Sequence, residues 1–401
     1  MIDPTTTLPR RRDPAPTSGR PAACVILSAA ALALAAGALL AGPARAQEAP
    51  ARRADHHAHL ASMSAAELLS EIRVAIGDVD SLPEPDPWTT DELLARLDSA
   101  GVGKAAVLSV AYFFAMPEAE VEDPRGRLEA ENDWIAEQVR AHPRRLVGFC
   151  SVNPLTGWAP DEVRRCGAKP EMTGLKLHFA NSGVDLREPS DVERVRAVFT
   201  AAAETGLPIV VHMRTRRPDY GRRDAEIFIR ELLPAADGTP VQVAHMAGWG
   251  GYDEPTDGAL AAFADALEAG ELSREGLWFD LSGVVRPARG EAASDSAGDA
   301  AADSARGGGD GDGAAGDSTR ADGDGADSPG SADGPAWWPG DRYERLALRI
   351  RQVGPERVVF GSDWAAFSPA AYVDALREDL RPELSGTTWR TIMTSTAPWM
   401  E

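Results

Sequence analysis

The sequence predicts an α/β chain closed into a (β/α)8 barrel, on three observations. Eight short apolar runs recur along the body, amphipathic helical stretches separate them, and side chains of metal-ligand or acid–base type stand at the ends of several runs. The runs cover residues 54–60, 104–110, 146–152, 174–179, 208–212, 241–245, 277–281 and 357–362. A first helix is expected over 91–100, with Leu93, Leu94 and Leu97 on one face and Gly101 as its stop. Others are expected over 128–141, 224–233, 259–269, 343–353 and 369–380, and one over 190–205 opens on a Ser190/Glu193 capping box. Strand alternating with helix implies parallel strands joined by right-handed crossovers, and eight such units fit a closed barrel better than an open sheet.

Composition narrows the function classes. The 401 residues carry 41 Lys+Arg against 62 Asp+Glu, a formal charge of −21, with 43% hydrophobic residues. This is a globular composition whose acidity repels phosphate backbones and anionic headgroups, so neither a nucleic acid nor a lipid surface is an expected partner. A small-molecule substrate is.

Two segments stand apart from the barrel. Residues 1–46 hold Arg10, Arg11, Arg12 and Arg20, an apolar run from Val25 to Leu40 and then Ala44-Arg45-Ala46. That order reads as an export signal cleaved after Ala46, with an uncleaved N-terminal membrane anchor as the other reading. An exported, periplasmic or secreted chain is expected over 47–401; losing five Arg and two Asp takes its charge from −21 to −24. Residues 290–335 are almost wholly Gly, Ala, Ser and Asp, and disorder is expected because such a segment buries too little apolar surface. This acidic insert falls after strand seven, at the barrel end that carries catalytic loops. Three cysteines build no disulfide scaffold; Cys24 belongs to the leader, and Cys150 and Cys166 read as buried small hydrophobes or as a bridged pair.

The seven histidines are the most informative residues. His57, His59, His178, His212 and His245 lie at or near the C-terminal ends of four strands. His57 and His59 are two apart, which on a strand puts both imidazoles on one face, and His56 on the other. His212 and His245 each close an apolar run, and Asp363 follows the eighth in Gly361-Ser362-Asp363-Trp364. Singly each has a structural explanation; together they point to one metal-centred site at one rim.

With these motifs the chain resembles the amidohydrolase superfamily, in its amidohydrolase-related branch of metal-dependent TIM-barrel hydrolases. The residues that carry the likeness are the His57/His59 pair, 93–104 ending Ala100-Gly101-Val102-Gly103-Lys104, 132–149 with His142-Pro143-Arg144-Arg145, Gly174-Leu175-Lys176-Leu177-His178, His212, His245 and Gly361-Ser362-Asp363-Trp364. Thr394-Ser395-Thr396-Ala397 departs from the Asn-Ala pair common there. The resemblance implies one divalent ion, zinc first, held by His57, His59, His212 and Asp363, with Asp363 as proton acceptor from an activated water and His245 polarising the substrate or acting as acid–base. It also leaves a second arrangement, two ions bridged by a carbamylated Lys176 with His245 as a further ligand and His178 on the same strand face as Lys176; otherwise Lys176 pairs with a carboxylate while His178 lines the pocket. Arg214, Tyr112 and Trp249 are candidates for substrate contact, and Asp280 is expected to be structural.

The expected function is hydrolysis of a small amide, ester or lactone. Non-oxidative decarboxylation of an aromatic or unsaturated acid is the alternative, since the resemblance allows it with the same ligands. A non-catalytic metal or ligand receptor is the alternative of another class.

Overall fold

The computed structural model describes residues 53–75, 82–287 and 342–401; the expected leader and acidic insert lie outside the described residues. All eight expected strands form. They are β1 (Arg53–Leu60), β2 (Val102–Ser109), β3 (Leu146–Ser151), β4 (Met172–His178), β5 (Ile209–His212), β6 (Val241–Val243), β7 (Leu277–Asp280) and β8 (Val358–Val359). They pair in sequence order, every pair parallel. The ring closes from β8 back to β1 through the Ala58–Trp364 bridge and through backbone bonds from His56 N–H to Phe360 O (2.9 Å) and Asp363 N–H to His57 O (2.7 Å). This is the (β/α)8 barrel the alternation predicts.

One core fills the layer between strands and helices; another fills the barrel itself. The inward residues Ala106, Leu108, Val147, Phe149, Val210, Trp278 and Val359 meet Trp399 and Met400 of the C-terminal segment, which plugs the barrel floor. Gly174 is required for this packing: a Cβ there would lie 2.1 Å from the Phe149 ring. His56 ties the plug to β1, its Nδ1 donating to Phe360 O (3.0 Å) and its Nε2 accepting from Ala397 N–H (3.1 Å).

The structure differs from the expectation at several ends. The helix expected at 190 spans Pro189–Thr205 and has no side-chain cap, because Pro189, with φ already helical, opens it and draws Ser190 inside. The stretch after β5 is helical only over Arg222–Ile227 before widening through Phe228–Leu232. Helices Met63–Ala75, Ala159–Gly167 and Gly386–Thr394 were not expected; the last two are only nine residues each, too short for a clear apolar period. Cys150 and Cys166 are free, buried thiols, not a bridge. No described helix is long and apolar enough to cross a membrane.

Candidate metal centre and active site

Three local backbone features bring the predicted side chains together at the C-terminal rim. In β1 a register shift between Asp55 and Ala58 inserts a bulge beside His57. After β6 the chain leaves the strand two residues earlier than expected, because His245, Met246 and Ala247 all have positive φ, and this turn aims His245 inward. After β8, Asp363 (φ 60) is also left-handed, and Gly361 permits the approach to β1, since a Cβ on it would lie 2.8 Å from His57 Cβ.

Each of three rings then uses Nδ1 on a structural partner. His57 Nδ1 donates to Asp280 Oδ2 (3.1 Å), His59 Nδ1 to Leu108 O (2.9 Å), and His245 Nδ1 to Ser282 O (3.0 Å). That sets the tautomer and turns each Nε2 lone pair towards a cation position, where Lys176 Nζ now lies 3.2 Å from that of His57. Nε2 of His57 and of His59 lie 3.3 and 3.4 Å from the same Asp363 Oδ1. One ligand atom from each of His57, His245 and Asp363 lies within 4.8 Å of the others, a grouping that could hold one metal ion. His212 belongs to the same group of rings, 4.9 Å from His245 between centroids, but is stacked on His178 at 3.9 Å. The tightest trio thus includes His245, expected as acid–base, while His212, expected as a ligand, stands further from it.

The electrostatics suit ligation. Burial holds His57 neutral, lowering it to about 3, with Lys176 adding to the effect. Burial likewise pushes His178, His212 and His245 below the ordinary imidazole range. Burial alone would raise Asp363 and Asp280, but the facing imidazoles, His57 first, hold both below the usual carboxylate range, helped at Asp280 by the bonds it accepts from His57 and Ser282. Neutral imidazoles around an ionised carboxylate form a donor set that fits a divalent transition ion such as zinc.

Lys176 on β4 is fully buried, its Nζ 3.2 Å from His57 Nε2; burial lowers it to about 8, against the pull of Asp363 and Asp280. His178 stacks on His212, and its Nδ1 accepts Asn181 N–H (3.1 Å), so the neutral ring carries its proton on Nε2.

Sequence reasoning missed the layer that orients these ligands. Asp280 was expected to be merely structural, yet it accepts from His57, from Gln242 Nε2 (2.6 Å), from His245 N–H (3.0 Å) and from both the backbone and the hydroxyl of Ser282. Its place at a strand end, like that of Asp363, was the available signal; Gln242 and Ser282 gave none. Asp55, raised by burial to about 7, accepts from the backbone of His57 and Ser362 at 3.0 Å each and so pins β1 to the loop carrying Asp363.

Rings surround the histidines. Trp88 lies 6.3 Å from His59, Tyr112 5.2 Å from His178, and Trp249 4.7 Å from His245 and 6.4 Å from Phe367. The arginines after β5 are engaged: Arg214 with Asp253 (2.9 Å), Arg216 with Glu118, and Arg217 with Asp185 (2.8 Å) and Asp219 (3.0 Å). Arg214 therefore meets a substrate only as half of an ion pair.

A family model described as amidohydrolase matches residues 54–397. No curated protein matches. Among solved structures, a 5-carboxyvanillate decarboxylase from Novosphingobium aromaticivorans, with bound manganese and 3-methoxy-4-hydroxy-5-nitrobenzoic acid, is 14% identical at a TM-score of 0.50, covering 87% of this chain and 96% of that one. A 5-carboxyvanillate decarboxylase from Sphingomonas paucimobilis is 18% identical at 0.49, over 86% and 99%. An amidohydrolase from Burkholderia multivorans with bound zinc is 14% identical at 0.47, over 86% and 96%. At such identity the first of these shares the barrel fold with this chain.

Proposed function

The chain belongs to the amidohydrolase family, and from that membership we propose that it is a metal-dependent enzyme that removes CO2 from a small, flat, aromatic or unsaturated carboxylic acid. The observation that carries this reading is the series of rings in contact with the histidines at this rim: Trp88 beside His59, Tyr112 beside His178, His178 stacked on His212, and Trp249 beside His212 with Phe367 beyond it. A carboxylate leaves as CO2 without an organic cofactor only where a π system can receive the electron pair, and flat π systems are what aromatic walls select. The two solved decarboxylases named above act on 5-carboxyvanillate, a substrate of that kind.

The ligands of one divalent ion, zinc or manganese, would be drawn from His57, His59, His212, His245 and Asp363. Such an ion supplies Lewis-acid polarisation of a substrate oxygen. Asp363, ionised at rest, takes a proton from a substrate hydroxyl or from water and returns it to the carbon bearing the carboxylate. The C–C bond then breaks, its electron pair returns to the π system, and CO2 departs. Lys176 offsets negative charge beneath the site, and the ion-paired arginines leave orientation to neutral N–H donors.

Hydrolysis of an ester, lactone or amide is the second reading, favoured by one observation: an ionised Asp363 beside His57 and His59 is equally placed to deprotonate water. The purified chain, loaded with Zn2+ or Mn2+, should release CO2 equal to the acid consumed from a panel of benzoates and enoates. Cleavage of lactones or amides with 18O entering the product, and no CO2, would replace decarboxylation by hydrolysis. Binding without turnover across both panels would leave the receptor reading. The export signal expected at 1–46 supports placing this activity outside the cytoplasm.

A further inference from the structure

The Trp249 indole N–H is a buried donor with no acceptor among the described residues. Native structures rarely leave such a group unpaired, so each instance asks for a partner. Trp364 and Trp399 also have unpaired indole nitrogens, but the Trp399 ring packs on Trp278 at the barrel floor and Arg96 lies over that of Trp364. Only the Trp249 ring abuts the metal-facing histidines, 4.7 Å from His245 and 6.0 Å from His212.

Its position is built. Gly283 (φ +65) lets the indole pack on bare backbone, since a Cβ there would lie 2.8 Å from Trp249 Cε3. Gly251 N–H donates to Gly283 O (2.9 Å) and Arg286 Nε to Gly250 O (2.8 Å), so the loop bearing Trp249 is tied to the loop after β7. Beyond His212, the stacked His178 carries its proton on Nε2 and offers a second neutral donor. The guanidiniums after β5 are engaged by carboxylates, and that of Arg286 is bonded to Gly250 O.

We propose that Trp249 is a specificity-determining residue whose Nε1–H donates to an oxygen substituent on the substrate's ring or chain, apart from the carboxylate that is lost, so that the preferred substrates are oxygenated aromatic or unsaturated acids. This rests on the decarboxylase reading for the acid but not for the oxygen. An indole N–H can only donate, so the oxygen needs only to accept, and a methoxy group serves as well as a hydroxyl.

The test is calorimetric binding of benzoate and the isomeric hydroxy- and methoxybenzoates to the Zn2+-loaded full chain and to Trp249→Phe, which keeps a ring and removes the donor. The wild type should prefer one hydroxybenzoate and the matching methoxybenzoate over benzoate by about tenfold, the worth of one buried hydrogen bond. W249F should lose that preference, its affinity for the favoured hydroxy- and methoxybenzoate falling about tenfold further than its affinity for benzoate, while melting at the same temperature. Equal weakening for all acids, an unchanged preference, or no binding of any acid by the wild type would overturn the assignment. Selective binding with no CO2 released would instead overturn the reaction and leave the donor in place.

Discussion

Asp280→Asn tests whether the site depends on a tautomer that Asp280 imposes. Oδ1 faces the fixed N–H groups of His245 (3.0 Å) and Ser282 (3.1 Å) together with the Ser282 hydroxyl, so the asparagine oxygen must stay there. Its NH2 then faces His57 Nδ1 and Gln242 Nε2, both donors to the native Oδ2. Gln242 can rotate its amide at the cost of the bond from its Nε2 to His56 O (3.3 Å), since its Oε1 has no partner among the described residues. His57 can adapt only by moving its proton from Nδ1 to Nε2, which blocks the nitrogen that faces the metal. Loss of such an outer partner costs about 10–100-fold in metal affinity, or about 1.4–2.8 kcal/mol. Competition for Zn2+ against a chromophoric chelator at pH 7.5 measures it, with metal-free melting as the check on folding. Affinity within twofold of wild type would refute the tautomer argument and with it the role of His57 Nε2.

Three further outcomes are expected. Asp363→Asn should keep the fold and lower turnover about 10^3-fold, read in single-turnover assays; full activity would remove Asp363 from the proton path. Asp55, held at about 7, favours the folded state in its neutral form, a contribution present below its unfolded value of about 3.9 and lost as pH rises to 7. In chelator, the stability of Asp55→Asn relative to wild type should therefore rise by up to about 4 kcal/mol between pH 4 and 8, the difference cancelling the opposing histidines; a pH-independent difference would contradict it. Asn132→Leu should cost about 3 kcal/mol in chemical unfolding, because Asn132 satisfies both the N–H (2.9 Å) and the C=O (3.0 Å) of Ser151 and also bonds Glu162.

The barrel was legible because its strands are buried on both faces: runs such as Ile209-Val210-Val211 read as strands without alternation, and helical periods separate them. The metal-type residues were legible because the C-terminal strand ends of a barrel share one rim, which makes His57, His59, His212, His245 and Asp363 neighbours as soon as the fold is known. Which nitrogen of each ring faces inward was decided only by tertiary structure, since it depends on Asp280, Leu108 O and Ser282 O meeting particular Nδ1 atoms across strands. The grouping of His245 with His57 and Asp363 likewise needed the left-handed turn after β6, which no pattern of polar and apolar residues encodes. Residue type and spacing determine what chemistry a rim can support; the bonds made by the opposite edge of each side chain determine which atoms perform it.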